Sequence, residues 1–539
     1  MPITPWYKKT TIYQIYPRSF FDSNGDGIGD VPGIIKKLDY LKSLGIETIW
    51  CSPFFASPQQ DFGYDISDYA GIASEYGKMA DAEKLIEEVH RRGMKLLFDM
   101  VMNHTSIQHP WFKESRASRD NPKSDWYLWR DRPNNWQSVT GGSGWHHTPE
   151  RGQYYWTSFL PFQPDLNYRN PDVKQAMFDA VRFWLRKGVD GFRLDMINAI
   201  YKDAGFRDNP FALQFVPRSD GGGFFQRSLH SMNLPETFGF ARELRKVCDE
   251  FEDRVLLGEV YGDRDLLRKF VGMKTNDGLT LVFDFGMLNF NFSADYFRKQ
   301  IRDIEAHFPS PYTPVYVFSN HDQPRSIKRL GNDTRKAKLL HLMQLTLRGV
   351  ACLYYGEEIG MTNARFPLGQ ALDPIPRKFK AVPHFVFDLL GMTINRDEVR
   401  TPMQWDKSAN AGFSSGGRAW LPVNADFRTV NVEVEDRDPD SLLNTIREIL
   451  KVRNTHPALQ VGAIEWIESL PKDILGYRRI IRGEELAILL NFNSQKQELY
   501  LGERDWESLF TLSSIDRVKR AEILLEGFGG IILRKSNPA

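Results

Sequence analysis

Short apolar runs and segments of helical period alternate from residue 11 onward. Residues 31–44 place apolar side chains on one face of a helix that ends at Gly45. Residues 81–92 predict a second helix, with Asp81 as its N-cap and Gly93 at its end. A repeated order of helix, glycine and apolar strand is typical of βα units, and it predicts a parallel sheet.

Eight apolar runs have the length of buried strands. They cover residues 11–16, 46–51, 95–102, 189–197, 255–260, 279–285, 315–319 and 350–355. Eight parallel strands favour a closed (β/α)8 barrel (a TIM barrel) over an open, doubly wound sheet. The fold class predicted for the chain is therefore α/β.

Two long segments interrupt this alternation. Residues 105–168 are rich in Trp, Asn, Gly, Ser and Pro without helical period, and they are too many for a structureless loop. We interpret them as a domain inserted into the third βα connection. Residues 362–435 are similarly irregular and predict an elaborated eighth loop over the site. The barrel then comprises residues 1–104 and 169–459.

The character of the chain changes near residue 460. Short β-type runs separated by turns follow, at residues 475–481, 485–492, 497–501 and 523–533. This pattern predicts that residues 460–539 form a C-terminal antiparallel β-sandwich domain. No catalytic constellation is visible in it, so support of the barrel is its expected role.

Composition and charge exclude several classes of partner. The chain has 70 Lys plus Arg and 69 Asp plus Glu, a net charge of +1, which gives no reason to expect nucleic acid. It has no apolar run of the roughly 20 residues that cross a bilayer, and its N-terminus does not resemble a signal peptide. Cys51, Cys248 and Cys352 lie far apart in apolar segments, as buried free thiols do. These features predict a soluble cytoplasmic protein without a membrane partner.

Charged residues occur inside one of the apolar runs. Arg193 and Asp195 are two residues apart in the sequence GFRLDM (191–196), so on a strand both side chains point to the same side. Burying an unpaired charge is costly. The pair therefore either serves chemistry or is a buried structural ion pair, and this segment alone leaves both interpretations open.

Functional groups of a barrel gather at the carboxyl ends of its strands. Four of the predicted strands end in carboxylate, histidine, arginine or asparagine side chains. These are Asp99, Asn103 and His104; Arg193 and Asp195; Glu259; and Asn320, His321, Asp322 and Arg325. Carboxylates clustered at one mouth are what acid–base and nucleophilic catalysis require.

These strand ends resemble the four signature regions of the α-amylase superfamily of glycoside hydrolases (family 13). Residues 163–167 (QPDLN), 63–66 (GYDI) and 400–405 (RTPMQW) resemble further motifs of its α-glucosidase and oligo-1,6-glucosidase branch. The likeness extends over nearly the whole chain, with the motifs in the family's order. The resemblance implies a (β/α)8 barrel enzyme that cleaves glucosides with retention of configuration.

The resemblance also assigns roles. Asp195 is expected to be the nucleophile, Glu259 the general acid and then base, and Asp322 the group that stabilises the distorted sugar. Arg193 is expected to keep Asp195 ionised. The residues expected to bind substrate are Asp61, Tyr64, His104, Phe162, Gln163, Arg193, Phe285, His321 and Arg400.

An Asp61–Arg400 pair is expected to close the rear of the pocket, which implies exo action. For the two histidines the alternative is a role in the core, and for the two phenylalanines it is ordinary aromatic packing.

An acidic, glycine-rich segment follows the first strand. Oxygen ligands at alternate positions suit Ca²⁺ or Mg²⁺, although Gly33 stands where an EF-hand has glutamate. The resemblance implies a structural metal site at this place, with the Ile28 carbonyl as one ligand. The alternative is a polar glycine turn. The candidate metal ligands are Asp22, Asn24, Asp26, Ile28 and Asp30.

The expected function is an exo-acting retaining α-glucosidase that releases glucose from the non-reducing ends of short oligosaccharides and also transfers it to other acceptors. Met196, after the nucleophile, matches neither linkage class of the family, while residues 203–210 are more similar to α-1,4-preferring members. The alternatives are an oligo-1,6-glucosidase, a sucrose isomerase or trehalose synthase of the same branch, and a non-catalytic relative such as the transporter heavy chains. No organic cofactor is expected, and the protein is expected to be a monomer or a homodimer.

Overall fold

The computed structural model of the protein contains a closed barrel of eight parallel strands. It describes residues 4–213, 222–223, 225–377, 394–502, 506–513, 517–519 and 522–536. The barrel strands β1 to β8 are Thr11–Ile15, Thr48–Cys51, Lys95–Val101, Gly191–Asp195, Val255–Gly258, Leu281–Asp284, Val315–Val317 and Val350–Tyr354. Neighbours in the chain are neighbours in the barrel, and β8 pairs with β1 to close it. The predicted (β/α)8 barrel and its eight strands are confirmed.

Every second residue of a barrel strand points into the barrel and fills its interior. Leu97, Leu257 and Phe283 belong to this inner apolar core. The residues two positions further along are Asp99, Glu259 and Phe285, which continue the same alternation toward the carboxyl end. The strand period that packs the core therefore also directs the polar side chains into the mouth of the barrel.

Helices cover the outside of the barrel, and a second, larger apolar core lies between them and the strands. The main barrel helices are Val31–Lys36, Leu38–Leu44, Met79–Arg91, Pro171–Arg186, Glu236–Cys248, Arg264–Val271, Ala294–His307, Thr334–Thr346 and Leu442–Thr455. The Asn170 side chain caps the helix Pro171–Arg186 by accepting from Asp172 N, as predicted.

Two helix predictions need correction. The predicted helix 31–44 is broken at Lys37, whose backbone is not helical. Its ammonium group lies over the rings of Trp405 and Phe21, 4.0 and 4.3 Å from their centroids, a contact with distant residues that periodicity does not reveal. The helix predicted to begin at Asp81 begins two residues earlier, and Asp81 accepts from the N–H of the N-cap residue Lys78 instead.

The segment between β3 and β4 has its own small structure. It contains the helix Pro110–Ala117 and a sheet of Trp129–Arg130, Gln153–Trp156 and Trp145–Thr148. Trp136, Trp145 and Trp156 pack together with Phe206, which follows β4. The aromatic residues thus pack the inserted segment against the chain that follows the fourth strand.

The C-terminal part forms two antiparallel sheets. One contains Ala463–Trp466, Ile474–Ile481, Glu484–Asn491, Gly530–Lys535 and Trp506–Thr511, and the other contains Gln497–Tyr500, Glu522–Leu525 and Arg517–Lys519. Side chains of both sheets share one apolar cluster. The run predicted at 523–533 is two strands, Glu522–Leu525 and Gly530–Lys535, which belong to different sheets. The predicted antiparallel domain is confirmed.

Two buried arginines bond to carbonyls at the end of a barrel helix, and one of them, Arg479 on the strand Ile474–Ile481, joins the C-terminal part to the barrel. Arg453 donates to the carbonyls of Leu345 (2.8 Å) and Gly349 (2.7 Å). Arg479 donates to the carbonyls of Thr346 (2.5 Å) and Gly462 (2.9 Å). Leu345 and Thr346 end the helix Thr334–Thr346, whose last carbonyls have no partner within the helix. The guanidinium groups therefore satisfy a helix C-terminus.

No helix within the described parts of the chain combines the length and the apolar character needed to span a bilayer.

Candidate active site

Four barrel strands bring the predicted catalytic residues to one mouth. Asp195 is the last residue of β4, and Glu259 directly follows β5. His321 and Asp322 follow β7, and Asp99 lies within β3. In the register of the sheet, Arg193 stands between Asp99 on one side and Leu257 on the other. The parallel order of the strands is therefore what brings these distant segments together.

Arg193 contacts three carboxylates. Its Nη1 donates to Asp99 Oδ1 (3.0 Å) and to Asp195 Oδ1 (2.9 Å), and its Nη2 donates to Glu259 Oε2. The Arg193 side chain is buried. Burial lowers the pKa of Arg193, but the surrounding carboxylates raise it well above the ordinary value, so the group stays charged. The ion pair seen in the sequence is thus part of a larger cluster.

Glu259 is placed to hold a proton. Its Oε2 also accepts from the N–H of Met196 at 3.2 Å. Burial raises the pKa of Glu259 well above its ordinary value, and the carboxylates of Asp195 and Asp322 raise it further against the opposing effect of Arg193. A buried carboxyl group among other carboxylates is the environment that general acids use.

Asp322 has the opposite environment. Its Oδ1 accepts from Arg400 Nη2 (2.6 Å) and Arg396 Nη1 (3.3 Å), and its Oδ2 lies 3.2 Å from His321 Nε2. Burial opposes its ionisation, but His321 and the two arginines hold the pKa of Asp322 below the ordinary value. Asp322 therefore carries a negative charge in the pocket.

Asp61 pairs with a residue that the sequence reasoning missed. Its Oδ1 accepts from Arg396 Nη2 at 2.7 Å, and its Oδ2 accepts from Gln163 Nε2 at 3.0 Å. Arg396 also contacts Asp373 and Asp322. The expected Asp61–Arg400 pair is therefore replaced by Asp61–Arg396, while Arg400 contacts Asp322. The motif RDEVR (396–400) places both arginines four residues apart, and this spacing could have indicated Arg396 as well.

Tyr64 and His321 stack on each other beside these groups. Their ring centroids are 5.4 Å apart with planes 2° apart, and the Tyr64 hydroxyl lies 2.6 Å from His321 Nε2. Gln14 Nε2 lies 2.8 Å from His321 Nδ1. Burial lowers the pKa of His321 to about 3, so the ring is neutral. Both side chains are fixed by contacts within the barrel mouth.

The remaining predicted substrate-binding residues lie at different depths. His104 is buried, with Nε2 3.1 Å from the carbonyl of Tyr64, and burial lowers the pKa of His104. Phe285 is half-buried and packs on Tyr261, with ring centroids 5.4 Å apart. Phe162 is half-buried, and its carbonyl accepts from Ile107 N. Tyr261, two residues after Glu259, is a second aromatic residue of the mouth that the sequence reasoning did not select.

Met196 has an unusual backbone. Its φ of 38° lies in the left-handed region, which costs energy for a residue with a side chain. The side chain packs with Met232 and against Phe159 and Tyr261. The strained turn directly after Asp195 thus places an apolar side chain beside the carboxylate cluster.

The segment predicted to bind a metal folds as a loop held by its own N–H groups. Asp22 accepts from Gly25 N (2.7 Å) and Gly27 N (2.8 Å), and Asp30 accepts from Gly33 N (2.6 Å). The carbonyl of Ile28 and the side chains of Asn24 and Asp26 complete the predicted ligand set, all on this loop. Within the described residues, no three His, Cys, Asp or Glu side chains converge closely enough to form a metal-binding group. The oxygen donor types suit Ca²⁺ or Mg²⁺, but the metal stays a prediction.

A closed (β/α)8 barrel with carboxylates gathered at the carboxyl ends of its strands defines a class of barrel enzymes. The sequence model of the family described as "Alpha amylase, catalytic domain" matches residues 14–462. The chain therefore belongs to the alpha-amylase family and is a glycoside hydrolase.

Similar proteins carry related names. The chain is 38% identical to an oligo-1,6-glucosidase of Parageobacillus thermoglucosidasius over 519 residues, 91% of each chain. It is 37% identical to a probable alpha-glucosidase of Rhizobium meliloti (strain 1021), over 99% of this chain and 98% of that one.

Solved structures are similar over the full length. The alpha-glucosyl transfer enzyme XgtA has a TM-score of 0.89 and 38% identity, covering 99% of this chain and 100% of its own. The trehalulose synthase MutB of Pseudomonas mesoacidophila MX-45 has a TM-score of 0.90 and 35% identity, with the same coverage.

Proposed function

We propose that the protein is an exo-acting retaining α-glucosidase that releases glucose from the non-reducing end of short α-glucosides. The observation that carries the proposal is the contact of Asp195 and Glu259 with one guanidinium group, that of Arg193, while Asp322 faces the same pocket. A retaining glycosidase needs one carboxylate that attacks and one carboxyl group that donates a proton, close together on either side of the anomeric carbon.

The reaction proceeds in two displacements. Asp195 attacks the anomeric carbon and forms a glucosyl ester, while Glu259 gives its proton to the departing oxygen. Glu259 then takes a proton from water, which attacks the ester and releases glucose with the original configuration. Asp322, held ionised by Arg400 and Arg396, stabilises the positive charge that develops on the sugar ring. An acceptor alcohol in place of water gives transglucosylation.

Exo action is supported by the Asp61–Arg396 ion pair. Asp61 is held by Arg396 on one oxygen and by Gln163 on the other, and Arg396 is anchored by Asp373. We propose that this group binds the hydroxyls of a terminal glucose and closes the pocket behind it. His104, His321 and Tyr64 bind the same glucose, and Phe162 and Phe285 line the pocket.

We propose that α-1,4 linkages are cleaved somewhat faster than α-1,6 linkages. The segment 203–210 supports this preference by its similarity to α-1,4-preferring members of the family. It lies against the inserted domain, where Trp136 Nε1 donates to the carbonyl of Arg207 at 2.8 Å. Met196 shapes the pocket beside the nucleophile, at the position where the family varies with linkage.

Initial rates on maltose, isomaltose, sucrose and trehalose test the activity and the preference together. We expect free glucose from the short α-glucosides, with maltose cleaved fastest and α-glucose as the first anomer detected by NMR. Inertness on all four sugars would overturn the assignment, and a β-anomer as first product would overturn the two-step mechanism.

The second candidate is an isomerase of the same branch, favoured by the similarity to the trehalulose synthase MutB. Product analysis after incubation with sucrose separates the two. Glucose plus fructose supports the hydrolase, and a rearranged disaccharide as the main product supports the isomerase.

We propose that the loop of Asp22, Asn24, Asp26, Ile28 and Asp30 holds a structural Ca²⁺ or Mg²⁺ away from the catalytic carboxylates. The loop contacts the chain near residue 414, where Ser414 Oγ donates to Asp22 Oδ2 at 2.5 Å. Chelation by EDTA is expected to lower the melting temperature, with recovery on adding Ca²⁺ or Mg²⁺. An unchanged melting temperature, and no bound metal by elemental analysis, would contradict the site.

We also propose a cytoplasmic location and a monomer or homodimer that binds small oligosaccharides. The three cysteines are buried free thiols, which supports a reducing compartment.

A further inference from the structure

The loop that carries Asp61 has a strained backbone. Gln59 and Phe62 have φ values of 62° and 49°, in the left-handed region that residues with side chains rarely adopt. Asp61 lies between them. Strained positions of this kind persist only where the surrounding structure holds them in place.

Asp65 supplies such contacts. Its Oδ1 accepts from Asp61 N (3.1 Å) and from Ser57 Oγ (2.9 Å), and its Oδ2 accepts from Gln60 N (3.1 Å). Both carboxylate oxygens are thus used, and the two main-chain donors are the N–H of Asp61 and that of the residue before it. Asp65 therefore ties together the two ends of the segment 57–65.

Asp65 is a buried carboxyl group. Its exposed fraction is 0%, and no lysine, arginine or histidine in the described parts of the chain forms an ion pair with it. Burial raises the pKa of Asp65 to about 7, while its hydrogen bonds act in the opposite direction. An isolated buried carboxylate costs stability unless donors satisfy it, and here those donors belong to the loop that carries Asp61.

The orientation of Asp61 depends on this loop. Its side chain must reach Arg396 Nη2 at 2.7 Å and Gln163 Nε2 at 3.0 Å at the same time. A small change in the backbone at Asp61 would break one of these contacts. Among the described residues, the hydrogen bonds to the Asp65 side chain come from Ser57, Gln60 and Asp61, all within this loop.

We propose that Asp65 is a positioning residue, whose carboxylate fixes the backbone at Asp61 and so presents Asp61 to the glucose. This inference rests on the proposed function, because it assigns Asp61 to glucose binding. Asp65 does not touch the substrate and acts through Asp61.

The test compares Asp65→Asn with Asp68→Asn in assays with maltose or 4-nitrophenyl α-glucoside. Asp68 is an exposed carboxylate at the start of the short strand Asp68–Ile72. Asparagine keeps one acceptor oxygen. Its NH₂ group replaces the other oxygen and cannot accept a hydrogen bond from the loop. We expect Asp65→Asn to raise KM about tenfold, as for one lost hydrogen bond to a charged group. kcat should change less than threefold, because loss of binding alone raises KM. Asp68→Asn should leave both constants unchanged.

A double-mutant cycle tests whether the effect passes through Asp61. In an Asp61→Ala background, Asp65→Asn should lower kcat/KM less than twofold, because the group that it positions is gone. A further tenfold loss in that background would overturn the inference. So would an unchanged KM in the single variant, or a fall in kcat at constant KM.

If Asp65→Asn does not fold, as judged by circular dichroism and thermal melting, the milder variant Ser57→Ala tests the same inference. It removes one donor to Asp65 Oδ1 and the oxygen that accepts from Gln59 N (2.9 Å), and it leaves the main-chain bonds from Gln60 N and Asp61 N to Asp65. We expect a two- to fivefold rise in KM at constant kcat, and no rise would overturn the inference. Wild-type protein that cleaves no α-glucoside would instead overturn the proposed function.

Discussion

Asp61 pairs with Arg396, 335 positions further along the chain, at 2.7 Å. The same guanidinium group reaches Asp373 and Asp322, so it connects the loop after β2 with the carboxylate after β7. Arg396→Ala is expected to raise KM more than tenfold, because it leaves buried carboxylates without their partner. Steady-state kinetics on maltose checks this, with the exposed Arg335→Ala as the control. Equal kinetics for the two variants would contradict the role given to Arg396.

Asp195→Ala and Glu259→Gln are each expected to lower turnover by about three orders of magnitude or more while the fold is kept. The loss in Glu259→Gln should be smaller for a 4-nitrophenyl glucoside than for maltose, since 4-nitrophenol departs with little help from an acid. Kinetics on both substrates, together with circular dichroism, measures this. A variant with near-normal turnover on maltose would remove that residue from the mechanism.

The activity should depend on pH through Glu259. Because burial raises the pKa of Glu259 well above the ordinary value, the proton-donating form persists to higher pH than for an exposed glutamate. kcat/KM is then expected to fall on the alkaline side as Glu259 loses its proton. A profile of kcat/KM against pH should show this limb in the wild type and lack it in Glu259→Gln. An alkaline limb that stays unchanged in the variant would assign it to another group.

The free energy of unfolding should fall as pH rises, because the buried Glu358 loses its proton. Its Oε1 accepts from the hydroxyls of Tyr13 (2.7 Å) and Tyr40 (2.8 Å), and burial raises the pKa of Glu358 to about 6. The folded state then holds this proton more tightly than the unfolded state. The associated stability is complete below about pH 4.5 and is lost as pH rises to about 6, a change of about 2 kcal/mol.

Glu358→Gln keeps an acceptor for both tyrosines and removes the titration. Urea unfolding at pH 4.5 and 7.5 should therefore show a smaller difference in the free energy of unfolding for Glu358→Gln than for the wild type. An equal difference in both proteins would exclude Glu358 as the source.

The buried Arg479 should contribute to stability and not to turnover. Arg479→Met leaves the carbonyls of Thr346 and Gly462 without a donor, and we expect a loss of about 3 kcal/mol. Arg478→Met, the partly exposed neighbour on the same strand, should cost less than about 1 kcal/mol. Denaturant unfolding measures both variants, and kcat should be unchanged in each. Equal costs would contradict the role given to Arg479.

The sequence predicted the eight barrel strands because each is a continuous apolar run that ends in polar residues. It missed features that depend on contacts between distant segments. Lys37, where the predicted helix breaks, contacts Trp405, and the partner of Asp61 is 335 positions away in the chain. The sequence predicts a single run over residues 523–533, whereas the glycines at 527 and 529 separate two strands at 522–525 and 530–535.

The sequence predicts the part of the candidate site that lies at the ends of barrel strands. Asp99, Arg193, Asp195 and Glu259 lie on neighbouring strands, so their order in the sequence already implies that they meet. Arg396 and Asp65 act through hydrogen bonds whose direction depends on loop backbone, which the spacing of residue types does not encode.

The guanidinium group of Arg479 bears on how the gene can be shortened. An expression fragment that stops near residue 462 would lose Arg479. The carbonyl of Thr346, at the end of the helix just before β8, would then lose its hydrogen-bond donor. Such a fragment should be recovered mainly as insoluble material even though every candidate catalytic residue is still encoded.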